Sequence, residues 1–94
     1  MHQSIKQWSA GDQPREKLIL MGSKSLSEAE LLAILMRIGT RNKSALDVAK
    51  ELLTQNDNSI AALAKLSVHE LMKIKGIGEA KAVSIAAALE LGRR

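Results

Sequence analysis

Apolar residues in this chain recur three and four positions apart, in runs separated by short polar or glycine-containing breaks, which is the period of amphipathic helices. Residues 1–11, MHQSIKQWSAG, are polar and aperiodic and are expected to form a flexible arm, with Trp8 as a loose packing anchor. From residue 12 to residue 94 the pattern is regular enough for one folded domain. Asp12 is placed to cap a short helix with Pro14 in its first turn, where the missing N–H costs nothing, and Gly22 is placed to end it. LSEAELLAIL opens a second helix. Ser27 and Glu30 have capping-box spacing, Leu26 and Leu31 form its hydrophobic staple, and the helix is predicted to run to about Arg37 and stop near Gly39. After the polar loop TRNK, Ser44 can cap ALDVAKELLTQ, which Asn56, Asp57 and Asn58 break. SIAALAKL leads into LSVHELMKI, where Ser67, Glu70, Leu66 and Leu71 repeat the box and staple. GIG follows, and then the long helix EAKAVSIAAALELGRR.

That echo extends into a repeat. Leu26, Ser27, Glu30, Leu31 and Ile34 match Leu66, Ser67, Glu70, Leu71 and Ile74; Ile38 and Gly39 match Ile77 and Gly78; Ala45, Ala49 and Leu52 match Ala82, Ala86 and Leu89, with Val48 facing Ile85. The matches keep their order, and the gaps fall only in the hairpin loop. The first copy spans about 26–55 and the second about 66–92, each a helix, a tight turn and a helix. Neither could bury its apolar stripe alone, so the two are expected to share one core. The expected core includes Leu31, Ile34, Leu35, Leu46, Val48, Leu52, Leu71, Ile74, Ile85 and Leu89, with Ile77 packing the second turn inward.

Composition agrees with an all-α domain of five to six short helices. Trp8 is the one aromatic residue, with no Phe or Tyr, where a β-sandwich or barrel would use aromatic and β-branched residues. Cysteine is absent, so disulfides and thiolate metal sites are not expected, and a cytoplasmic setting is the default. No apolar run approaches a membrane span. The net charge is +4. Residues 1–58 carry 8 basic and 7 acidic side chains, and residues 59–94 carry 6 and 3, so the surplus sits in the half holding the glycine hairpin.

In KIKGIGEAKA the two glycines have a twofold physical use. A turn this tight needs unusual φ/ψ, with one or both glycines at positive φ. Lacking Cβ, Gly76 and Gly78 also let a phosphate come against the backbone. The amides of Gly76, Gly78, Glu79 and Ala80 lie near the start of the last helix, where unpaired donors and the helix dipole attract an anion. Lys81 can reach the same oxygen, and Lys73 and Lys75 the neighbouring phosphate. The dinucleotide fingerprint is excluded, because no third glycine follows and the segment comes after a helix; the P-loop pattern is absent. No cofactor and no small-molecule substrate are therefore expected. The first hairpin, LMRIGTRNKSA, has one glycine and more residues. Arg37, Gly39, Arg41 and Lys43 there make a secondary set of DNA-contact candidates, for which a structural role is the better reading.

LMKIKGIGEAKAVSIAAAL resembles the helix-hairpin-helix motif, with Ile74, Gly76, Ile77, Gly78 and Ala82 in its h-x-G-h-G and small-residue positions. The resemblance implies a grip on the DNA backbone through hairpin amides, without sequence readout. PREKLILMGSKSLSEAELLAILMRIGT, KSALDVAKELL, LMKIKGIGEAKA and the closing ALELGRR, from about Asp12 to Arg94, resemble the N-terminal region of the RadC family. In that family a JAB/MPN-type domain follows, with an H-x-H…D zinc constellation. None of it lies in these residues, and the end after ELGRR is expected to fall at a domain boundary. His2 and His69 are not spaced as metal ligands, and any metallo-hydrolase activity implied by the resemblance belongs to the other domain. The family's label as DNA repair proteins comes only as an association.

Ser27 and Ser67 read as caps rather than nucleophiles, since no base accompanies either; Glu28, Glu30 and Glu70 sit at helix starts, where negative charge is favourable. Arg93 and Arg94 read as linker. No catalysis is expected within this segment. Two functions stay open: a sequence-nonspecific DNA-binding module, and a protein-interaction module docking on the C-terminal JAB domain or on another protein.

Overall fold

Four of the six helices begin at a serine. The computed structural model describes residues 13–37, 39–40 and 42–94; the arm with His2 and Trp8, the Asp12 cap, Ile38 and Arg41 lie outside the described residues. Within them the chain is all-α: α1 (Gln13–Met21), α2 (Glu28–Met36), α3 (Ala45–Thr54), α4 (Ile60–Ala64), α5 (Val68–Met72) and α6 (Glu79–Arg93), with a 3-10 turn at Ser23–Ser25. Ser27, Ser44, Ser59 and Ser67 each accept a hydrogen bond from the third helical amide, that of Glu30, Asp47, Ala62 and Glu70, at 3.1 Å in all four cases. Both capping boxes close: the amides of Ser27 and Ser67 each donate to the carboxylate of Glu30 and Glu70 at 2.8 Å. These bonds satisfy donors that a helix start otherwise leaves to water, and each cap contributes about 1 kcal/mol.

The helix ends also follow local chemistry. Gly22, at φ 89°, ends α1 with its amide on the Leu18 carbonyl at 2.9 Å. Asp57 and Asn58 take φ 60° and 53° after α3, where Asn58 N–H closes on Leu53 O at 2.7 Å. The end of α2 departs from expectation. The helix stops at Met36, and Arg37 rather than Gly39 makes the break, at φ 70°.

α2 packs against α3 and α6, α5 and α4 lie on α6, and α1 lies on α2. The core is built from Ala29, Leu32, Ala33 and Met36 of α2, from Ala45, Val48, Ala49, Leu52 and Leu53 of α3, from Leu63, Leu71 and Ile77, and from Ala82 and Ile85 of α6. Fully buried alanines at 33, 45, 49 and 82 let the helices approach closely. Val48, Leu52, Leu71, Ile77 and Ile85 are buried as the pattern predicts, Leu35, Leu46, Ile74 and Leu89 lie half-buried at the core's edge, and Ile34 is half-buried without joining the core cluster. Leu31 does not belong to the core; it is 40% exposed. The buried stripe of α2 runs 29, 32, 33, 36, and a residue two positions from Ala29 faces the opposite way. Its sequence match Leu71 is fully buried, so the first helices of the two copies turn different faces inward.

α1 is tied to α2 by the Lys17–Glu30 ion pair at 3.2 Å, yet its end leaves Ile19, Leu20 and Met21 exposed. Among the described residues no helix is long and apolar enough to cross a membrane.

The capping boxes make stability pH-dependent. The Ser27 amide, with Lys17, holds the Glu30 carboxyl below the ordinary glutamate value, and the Ser67 amide and hydroxyl do the same for Glu70. A depressed folded pKa contributes stability that is full above the unfolded value near 4.5 and is lost as pH falls through the folded value. Thermal melts between pH 7 and pH 3 are expected to show the midpoint falling across that window, and the Glu30→Gln/Glu70→Gln double variant to show a shallower fall from a slightly lower start.

Candidate nucleic-acid interface

The second hairpin links α5 to α6 through six residues, 73–78. α5 ends as the amides of Lys73 and Ile74 close onto the carbonyls of Glu70 and Leu71 at 3.2 and 3.1 Å. Ile77 N–H then donates to Ile74 O at 3.0 Å, which closes a turn with Lys75 and Gly76 at its centre. Gly76 has φ 95°, and Lys75 is not among the positive-φ residues, so the turn is of type II, whose third position requires glycine geometry. Ile77, 3% exposed, pins the far side of the turn into the core.

The two glycines differ. A Cβ on Gly76 would lie 2.9 Å from the Thr40 methyl carbon and 3.4 Å from Val48 Cγ2, so this glycine lets the second turn press against the first loop and α3. Gly78 has φ −85° and ψ −174°, extended backbone that any residue adopts, and a Cβ there would meet nothing within 4 Å. Its match in the first hairpin, Gly39, is crowded. A Cβ there would collide with the Lys43 carbonyl and the Ser44 backbone and lie 2.6 Å from the Ala45 nitrogen. The fold therefore requires glycine at 39 and 76 but not at 78. Of the two glycines in the GIG turn, Gly76 is the one at positive φ.

Gly78 is the N-cap of α6 and supplies no side-chain acceptor. Its carbonyl takes the first helical bond, from Ala82 N–H at 2.9 Å. The amides of Gly76, Gly78, Glu79, Ala80 and Lys81 donate to no acceptor among the described residues. α6 is fifteen residues long, so a full helix dipole stands behind the last four of these donors. Lys73 and Lys75 are exposed on the approach to the turn. Lys81 is half-buried, and its ammonium is turned back onto the Gly76 carbonyl at 3.2 Å. The exposed Glu79 carboxylate sits in the same first turn and sets a like charge against any anion.

The first hairpin uses its groups internally. Thr40 N–H donates to Lys43 O at 2.8 Å, Lys43 N–H donates to Thr40 Oγ1 at 3.1 Å, Ser44 caps α3, and the Lys43 ammonium pairs with Glu51. Arg37 is exposed at the end of α2, and Arg41 lies outside the described residues. The contact that joins the two loops, Thr40 against Gly76, was not foreseen from sequence; its signal is the pairing of a second loop rich in small and polar residues with a glycine turn. Among the described residues no three His, Cys, Asp or Glu side chains are grouped to hold a metal ion.

These features define a small helical module in which, among the described α-helix caps, that of α6 alone offers no side chain, and it lies near lysines. The chain belongs to the UPF0758 family, the RadC-like family, matching its N-terminal region (UPF0758 N-terminal) over residues 5–83. It is 57% identical over 93 residues to a UPF0758 protein of Flavobacterium johnsoniae, covering 99% of this chain and 40% of the relative. A UPF0758 protein of Moorella thermoacetica is 54% identical over 91 residues (97% of this chain, 39% of the relative), and one of Dechloromonas aromatica 47% over 91 (97% and 40%). The chain thus spans about 40% of the length of these relatives. No solved structure matches it.

The difference between the glycines is measurable in urea. Gly76→Ala is expected to cost about 1–3 kcal/mol, from positive φ and the Thr40 contact. Gly78→Ser is expected to stay within about 0.5 kcal/mol of the parent, on the stabilising side, because serine is the better N-cap for the same backbone.

Proposed function

We propose that this chain is a non-catalytic, sequence-nonspecific DNA-binding module that grips backbone phosphate at the start of α6, in a helix-hairpin-helix manner. The observation that carries it is Gly78. Every other capped α-helix start uses a serine, and nothing inside the fold excludes a side chain at residue 78. Glycine there leaves the amides of Gly78, Glu79, Ala80 and Lys81 open to a phosphate oxygen, the ligand that helix N-termini favour. Lys73 and Lys75 supply charge to the adjoining phosphate, while the Lys81 ammonium is turned back onto the Gly76 carbonyl. Gly76 shapes the turn that presents this end. Arg37, Gly39 and Lys43 take no primary part on this reading, since the first loop turns the Thr40 and Lys43 amides and the Lys43 ammonium onto its own partners. A cytoplasmic setting, suggested by the cysteine-free sequence, belongs to the same proposal, as does a place in DNA repair.

A second reading has its own observation. Ile19, Leu20 and Met21 at the end of α1 are 72, 69 and 70% exposed, an apolar tip suited to docking on the region by which the relatives exceed this chain, or on another protein. The two readings place the working surface at opposite kinds of residue, which separates them experimentally.

Titration of the labelled chain with a short duplex is expected to shift the amides of Gly76, Gly78, Glu79 and Lys81, with log K falling against log salt at a slope of about −2 to −3 for two or three phosphates. Gly78→Ser, stable but self-capped, is expected to weaken binding at least tenfold. Undisturbed amides in the parent would remove the DNA reading and favour the apolar tip. Glu79→Gln should move the other way: relief of a charge roughly 6 Å from the phosphate is worth about 0.7 kcal/mol in water, or about threefold tighter binding at low salt.

A further inference from the structure

The peptide unit between Gly76 and Ile77 is held at both ends. Its N–H donates to Ile74 O at 3.0 Å, and its carbonyl accepts from the Lys81 ammonium at 3.2 Å. The carbonyl hold comes from one turn inside α6, across five residues of sequence, and Lys81 is half-buried in making it. The direction of the Gly76 carbonyl is set by rotation about the Cα–C bond of Gly76, the residue that stands at φ 95°. Glycine has no Cβ to restrict that rotation, so the carbonyl's direction has to be fixed by its partners. Ile77 fixes the far side by burial, but burial of a side chain does not fix the orientation of the preceding carbonyl.

We propose that Lys81 is the positioning residue of the hairpin. Its ammonium locks the Gly76–Ile77 peptide in the orientation that leaves the amides of Gly78 to Lys81 facing outward, and it neutralises a carbonyl whose partial negative charge would otherwise stand in the same turn as a bound phosphate. This deepens the phosphate-gripping reading and rests on it for the consequence in binding, though not for the lock itself. Lys81 then acts through the backbone, while Lys73 and Lys75 carry the direct charge.

The lock is tested without DNA. In Lys81→Met, which keeps the apolar stem and removes the donor, hydrogen exchange at the Ile77 amide is expected to accelerate about tenfold, as loss of a charge-assisted bond implies, while Val48 and Leu52 keep their rates. Lys81→Arg is expected to restore the slow rate. Unchanged Ile77 exchange would overturn the proposal, and so would equal acceleration at Val48 and Leu52, which would mean a general loss of stability. Duplex titration of the same variants over a salt series gives the second arm. Positioning predicts weaker binding by Lys81→Met at an unaltered salt slope. A slope shallower by about one would overturn it and make Lys81 a phosphate ligand. If the parent binds no duplex, the DNA reading fails, while the exchange result still decides the lock.

Discussion

At residue 76 the backbone turns at φ 95° with no room for a Cβ, because the Thr40 methyl and the Val48 side chain occupy the place one would take. Two consequences follow from this close approach. The turn brings Ile77 into the core, and it leaves Gly78, Glu79 and Ala80 exposed at the start of α6. Without it the second hairpin would stand off from the first loop, and the contact between copies at the turn would open. The bare backbone at residue 76 is therefore a packing requirement first. Whatever the hairpin does for a ligand rides on that requirement.

Caps and turns were the most legible part of the chain. The serine starts, both capping boxes, Gly22 and the Asn-Asp-Asn break are read from residues a few positions apart, and local chemistry alone decides them. The faces of α3 and α6 were legible too, since Ala45, Val48, Ala49 and Leu52 and their matches Ala82 and Ile85 keep one stripe. α2 was not. Its sequence, EAELLAILM, is apolar nearly all round, so periodicity leaves several faces eligible, and the choice of Ala29, Leu32, Ala33 and Met36 over Leu31 comes from α3 and α6 packing on either side. The end of α2 at Arg37 was hidden for a related reason: a left-handed arginine is costly, and glycine two residues later offered the cheaper stop. Gly39 is spent instead on the crowded approach to Lys43 and Ser44.

The candidate site was half legible. Sequence marks the pair Gly76 and Gly78 but cannot say which glycine the fold needs, because that depends on Thr40, thirty-six positions earlier, and on empty space beside residue 78. Lys81 illustrates the same limit. Spacing from Gly78 puts it in the first turn of α6, where it can equally meet a phosphate or fold back, and the free carbonyl of Gly76 is what draws it inward.

The two hairpins show how similar segments diverge in use. The first has a serine at the start of its second helix, and the amides of Thr40, Lys43 and Asp47 are paired with Lys43, Thr40 and Ser44. The second has glycine as the N-cap of its second helix, and the amides of Gly78, Glu79, Ala80 and Lys81 meet no acceptor among the described residues. On the proposed reading, one open hairpin with Glu79 set against the anion would hold only a few phosphates, and its grip alone would be weak at physiological salt. Such a grip gains most when it is tethered, because a linked partner raises the effective concentration of the second contact without any new interaction. The relatives are more than twice the length of this chain, which is the setting in which a weak, sequence-blind hold on a polyanion would be useful. A tighter isolated hairpin would compete with that arrangement, since nonspecific binding strong enough to stand alone would hold the whole protein wherever it first met DNA.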